Sequence, residues 1–247
     1  NNFDDYDDYI NYSINNKGID INFEFHLIDV ISKLFSKPCD KNIFYKINFN
    51  KLVINNEANF SNLCFNNTVD FSETLFNDIV NFSNILFIDK VYFSNANFKN
   101  IANFSSTKFK NTVRFTMSSF DKSVSFSKAS FNNKVNFSGV SFYSSSNFSN
   151  ILFDNTVNFS SAKFNITVNF YSISFNNRAN FSRVLFNSEA NFSKTLFCNN
   201  IYFSDASFDK VKFSNSNFYY KNIKNNKLDF SHTTISSYLK LDSINIL

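Results

Sequence analysis

A phenylalanine returns at alternating steps of five and six residues, from Phe60 through Phe65, Phe71, Phe76, Phe82 and Phe87 to Phe208 without a miss. An 11-residue unit is thus repeated end to end, and such a chain is a solenoid in which each unit buries its apolar side only against its neighbours. Two residues before each Phe stands a small or β-branched residue, as at Val69, Thr74, Val80, Ile85, Val91 and Ala96, with a mostly polar residue between. Inward, outward, inward is the period of a strand. A helix fits badly: at 100° per residue, a step of five sets successive Phe about 140° apart and smears them around the circumference. Eleven-residue repeats also occur in right-handed helical supercoils, but Phe, Asn, Ser, Val and Thr are mediocre helix formers. The expectation is a strand of about three residues, a two- or three-residue polar corner such as Ser-Asn or Asn-Asn-Thr, and then the next strand.

Phe makes up 37 of the 247 residues, so the axis is expected to hold stacked aromatic ladders, one of them Phe60, Phe82, Phe104, Phe126, Phe148, Phe170 and Phe192. With two Gly and one Pro in the whole chain, the corners are expected to be turned by Asn, Ser and Asp. The heavy use of Phe, Asn, Ile, Lys and Tyr is explained by an AT-rich genome as well as by any functional demand.

Stretches such as Ala58-Asn59-Phe60-Ser61-Asn62, Ala102-Asn103-Phe104-Ser105-Ser106 and Ala190-Asn191-Phe192-Ser193-Lys194 resemble the tandem units of the pentapeptide-repeat family, Ala-(Asp/Asn)-(Leu/Phe)-x-x. The resemblance runs over roughly residues 47 to 247. It implies an all-β fold, a right-handed quadrilateral β-helix with the central Phe and the small residue before it both turned inward. The chain departs from strict fives: its coil is twenty-two residues instead of twenty, and the surplus is placed as a bulge or longer turn at two of the four corners. About nine coils at the usual strand spacing give a rod about 40 Å long.

Three segments are expected. Residues 1–17, with Asp4, Asp5, Asp7 and Asp8 and no apolar period, read as an acidic disordered lead-in. Residues 18–42 read as an N-terminal cap: Ile19 to Phe25 alternate like a strand, Leu27, Ile28, Ile31, Leu34 and Phe35 share a helical face, and Pro38 follows. A partner-binding amphipathic helix is the rival reading of that face. Residues 43–247 are the repeat β-helix, interrupted by a loop at about 219–227. The last residues are still in register where the chain stops, and family members dimerise through their C-terminal coils, so an end-to-end homodimer is expected. The first residue is Asn, which reads as a fragment or processed product that has lost an export or membrane segment.

Other motifs carry little chemistry. Cys39, Cys64 and Cys198 are odd in number and lack metal or disulfide spacing, so three reduced thiols in a cytosol-like, cytoplasmic setting are expected. His26 and His232 belong to opposite ends of the rod, which argues against a Cys-His or Ser-His site. Asn-Phe-Ser sequons at Asn59, Asn81 and Asn103 are the repeat itself. No run of eighteen apolar residues occurs, so no membrane insertion by this chain is expected. No catalytic residue, cofactor or metal site is assigned.

Counting in twenty-twos, the outward residue on one side reads Asn59, Asn81, Asn103, Ser125, Asn147, Asn169 and Asn191, a ladder expected to hydrogen-bond from coil to coil. Leu152, Leu185 and Leu196 are expected outward and form a candidate docking patch. Some proteins of the resembled family mimic duplex DNA and bind type II topoisomerases such as gyrase. That task needs a strongly negative rod, whereas this chain has 24 basic against 20 acidic residues. Direct nucleic-acid binding is disfavoured as well, because the Lys and Arg look dispersed along the repeats. The expected function is therefore a non-enzymatic scaffold for an unidentified protein partner. The alternatives are the topoisomerase-directed DNA mimic and a secreted or translocated host-interaction protein.

Overall fold

The computed structural model describes residues 47–219 and 228–246. The expected lead-in (1–17) and cap (18–42) lie outside the described residues, as does the expected loop apart from Tyr219. Within those bounds the chain is all-β and its strands pair in parallel, coil on coil. Side one stacks nine strands, from Ile47–Asn48 to Leu228–Asp229. Side two begins with Val53–Ile54 and Leu75–Phe76, side three with Ala58–Asn59 and Val80–Asn81, and side four with Cys64–Phe65 and Leu86–Phe87. Sides two and four therefore stand opposite one another across the rod. Partners such as Val91 and Val113, Phe98 and Phe120, Ala102 and Val124, or Phe109 and Phe131 are one 22-residue coil apart.

Most strands hold two residues, too few to be stable alone, so each coil depends on its neighbours. The backbone shows how: Phe104 N donates to Ser125 O at 2.7 Å and Lys110 N to Phe87 O at 2.9 Å. The alternation of five and six is a difference between corners. After sides one and three the chain makes a tight β-turn, with Ala96 N donating to Phe93 O at 3.0 Å and Asn95 at φ 57°, the left-handed third position of a type II turn. After sides two and four the corner is one residue longer and is held by its own side chains, as where Thr112 N donates to Asn111 Oδ1 at 2.7 Å.

The tight turns correct one expectation. Lys51, Glu73, Met117, Lys128 and Arg183 occupy the left-handed position as readily as Asn, Ser or Asp. The strain there costs about 1–2 kcal/mol for an L-residue. It is tolerated because the amide of that residue carries a coil-to-coil bond: Met117 N donates to Ser138 O and Lys128 N to Ser149 O, both at 3.0 Å. In the later coils the corner between sides two and three straightens into continuous strands at Leu185–Asn191, Ser207–Lys212 and Thr234–Lys240, with a register shift between Phe186 and Glu189.

The interior is Phe. The side chains of Phe60, Phe82, Phe104, Phe126, Phe148, Phe170 and Phe192 are fully buried. Along each ladder the rings stack, as for Phe93 and Phe115 at 4.7 Å and 5°. Between sides one and three they meet edge to face, as for Phe93 and Phe104 at 5.4 Å and 87°, a geometry worth about 0.5–1.5 kcal/mol per pair beyond burial. The hydroxyls of the inward Thr are bonded to carbonyls of the neighbouring coil: Thr107 Oγ1 donates to Phe82 O at 2.6 Å and Thr195 Oγ1 to Phe170 O at 2.9 Å. In the last coil the same inward positions are uncovered, with Phe230, Ile235, Leu239 and Leu241 at 39, 38, 43 and 52% exposure.

Cys64 is disulfide-bonded, which corrects the expectation of three reduced thiols and removes the argument for a cytosol-like compartment that rested on it. Spacing in sequence says nothing about whether two Cβ atoms approach to bonding distance; the fold does.

Candidate functional site

The Asn column on side three, Asn59, Asn81, Asn103, Asn147, Asn169 and Asn191, serves the turns. Each Oδ1 accepts the amide two residues on: Asn59 from Ser61, Asn81 from Ser83, Asn103 from Ser105, Asn147 from Ser149, Asn169 from Tyr171 and Asn191 from Ser193, all at 3.0 Å. This local Asx arrangement holds the first amide of the tight turn, so the oxygens bond within the coil and not between coils as expected.

Coil-to-coil side-chain bonds run instead down the long corners, through the residues just after Phe. Asn77 Nδ2 donates to Asn55 Oδ1 at 2.7 Å, Asn132 Nδ2 to Asp154 Oδ2 at 2.7 Å and Asn176 Nδ2 to Asp154 Oδ1 at 3.0 Å. Lys99 Nζ reaches Asp121 Oδ2 at 3.0 Å in the same way.

The three Leu do not gather. Leu152 and Leu196 lie on side four, two coils apart with Ser174 between them. Leu185 lies on side two, next to Lys163, across the rod. Leu152 and Leu185 are each 38% exposed and Leu196 is half-buried. The column on side four reads Leu86, Lys108, Ser130, Leu152.

Charge does gather, and sequence reading missed it. Lys90, Lys108, Lys110, Arg114, Lys128 and Lys134 fall in three successive coils, on side four, its two corners and the adjoining strand of side one. All six are exposed, and none is within ion-pair distance of a carboxylate among the described residues. The Arg114 guanidinium lies 5.4 Å from the centre of the Tyr92 ring. The one acid among them, Asp89, accepts from Thr68 Oγ1 at 2.7 Å and Asn111 Nδ2 at 3.1 Å. Counting in twenty-twos from Thr68 gives Lys90, Thr112, Lys134, Thr156 and Arg178, a periodicity that was there to be read.

Among the described residues no group of three or more His, Cys, Asp or Glu stands together as a metal site. No helix among them is long and apolar enough to cross a membrane.

The family model for pentapeptide repeats (9 copies) matches residues 93–141 and 115–163. Among solved structures, one similar chain is HetL, a pentapeptide repeat protein involved in heterocyst differentiation regulation from the cyanobacterium Nostoc sp. strain PCC 7120; it is 15% identical over 81% of this chain and 88% of its own, with a TM-score of 0.27. Another is trypsin-treated QnrB1, a plasmid-mediated fluoroquinolone resistance protein, 14% identical over 82% of this chain and 87% of its own, with a TM-score of 0.25. No curated protein matches. The matched repeats sit in the middle of the rod, and the same 22-residue register extends from them in both directions, from Ile47 paired with Val69 to Ala179 paired with Ile201; the chain carries pentapeptide repeats over residues 93–163.

Proposed function

We propose that this chain is a non-enzymatic scaffold whose flat outer faces dock a protein partner. The observation that carries the reading is the way outward side chains are held. Turn amides bonded to Asn Oδ1 atoms and stacked long corners fix their spacing, while the interior is filled by Phe rings. A rigid, pre-ordered surface loses little entropy on association. The test is cross-linked capture from lysate of the source cell with two variants, Lys108→Glu/Leu152→Asp on side four and Lys163→Glu/Leu185→Asp on side two. A stoichiometric partner lost in one variant and kept in the other supports the scaffold; no stoichiometric partner for the unaltered chain overturns it.

A second contact, a homodimer, is proposed through Phe230, Ile235, Leu239 and Leu241, a cluster of apolar side chains that are each more than a third exposed. Sedimentation as a monomer at high protein concentration counts against it. The DNA-mimic alternative finds no support in the charge: the chain is net +4, and its middle coils carry unpaired cations where mimicry of phosphates needs carboxylates.

A further inference from the structure

We infer that the docking face is side four, around Lys108, and that it takes an extended acidic segment of a partner protein that also carries aliphatic side chains. This inference rests on the scaffold reading and names its site and partner chemistry. Lys90, Lys108, Lys110, Arg114, Lys128 and Lys134 are brought by three coils into a patch about 10 Å tall, although they span residues 90 to 134. Two acids border them, Asp89 and, at the edge beside Leu152, Asp154, and the oxygens of both already accept side-chain donors, from Thr68 and Asn111 and from Asn132 and Asn176. Elsewhere Lys99 pairs with Asp121 and Lys212 with Glu189, and the exposed cations left over on the opposite half, Lys122, Lys163 and Lys210, stand two or more coils apart instead of together. The unmatched set calls for an anionic partner.

The apolar neighbours decide which anion. Leu86 and Leu152 stand in the same column as Lys108, and Ile88, 40% exposed, sits at the corner beside Lys90. Two exposed aliphatic side chains and the half-buried Leu86, bordered by cations, are the layout of a protein interface with an apolar centre and a charged rim. A duplex backbone carries a charge about every 1.7 Å and has no use for Leu86 or Ile88. An acidic segment with aliphatic residues uses both: carboxylates meet Lys108, Lys110 and Arg114, and aliphatic groups meet Leu86, Ile88 and Leu152.

The experiment measures binding of the full chain to four labelled probes: a peptide of repeated Glu-Glu-Leu units, poly-glutamate of equal length, a short DNA duplex, and phosphatidylserine vesicles. Two triple variants are compared, Lys108→Glu/Lys110→Glu/Arg114→Glu on the patch and Lys122→Glu/Lys163→Glu/Lys210→Glu on the opposite half. Unchanged thermal midpoints show that both keep the fold. The Glu-Glu-Leu peptide is expected to bind more tightly than poly-glutamate, to weaken with salt, and to lose about tenfold in affinity in the patch variant against less than about twofold in the other. Failure of the peptide to bind, equal losses in both variants, or tighter patch-dependent binding of the duplex or the vesicles overturns the inference. A captured cellular partner that keeps its hold on the patch variant leaves the scaffold standing and removes this site alone.

Discussion

Phe104 and Phe126 stack face to face, ring centroids 4.8 Å apart and planes 8° apart, one coil from each other. Phe126 also stacks on Phe148 at 4.9 Å and meets Phe115 and Phe137 edge to face. A ring gripped from above, below and across leaves a hole that neighbours on a fixed coil spacing cannot collapse into. Phe126→Ala is therefore expected to cost about 3–5 kcal/mol, measured by denaturant unfolding; an unchanged midpoint contradicts the packing.

Thr107 lies in that core with its hydroxyl donating to Phe82 O. Thr107→Val keeps the shape and removes the donor, leaving a buried carbonyl poorer by one bond. The expected loss is about 1–3 kcal/mol, while Thr107→Ser, which keeps the hydroxyl, is expected to lose less. Equal stability of the Val and Thr proteins contradicts the role of the bond.

Asn84 is exposed and its φ is 57°. Exposure alone predicts that any residue is tolerated there. The backbone predicts otherwise: Asn84→Val is expected to cost about 1–2 kcal/mol, because a β-branched side chain is strained in the left-handed region, and Asn84→Gly is expected to be close to neutral. Thermal melts of the two variants separate the accounts.

Asn81 and Asn103 face outward one above the other, yet each accepts its own turn amide. Each Ala substitution is expected to cost about 0.5–2 kcal/mol, as for a lost cap, and the double variant is expected to equal the sum within about 0.5 kcal/mol. A larger coupling energy in that cycle means that the amides bond coil to coil after all.

Cys64 is expected to resist alkylation in denaturant until reductant is added, because it is held in a disulfide. Peptide mapping by mass spectrometry checks this, and ready labelling of Cys64 without reductant contradicts it.

The alternation of Phe, the strand period and the 22-residue coil were legible in the sequence, because they follow from which residues must face inward and how often. Each inward Phe repeats an identical local demand, so the pattern survives without knowledge of the whole. Which amide bonds which Asn, and which corner tolerates Met117 or Lys128 in a left-handed conformation, depend on contacts between residues about a coil apart, and on how far around the coil each strand lies. Lys90, Lys110 and Lys134 look dispersed on a line, and winding the line into coils makes them neighbours. Local periodicity determined the architecture; coil-to-coil hydrogen bonding and the angular position of each side decided the surface on which the function is proposed to rest.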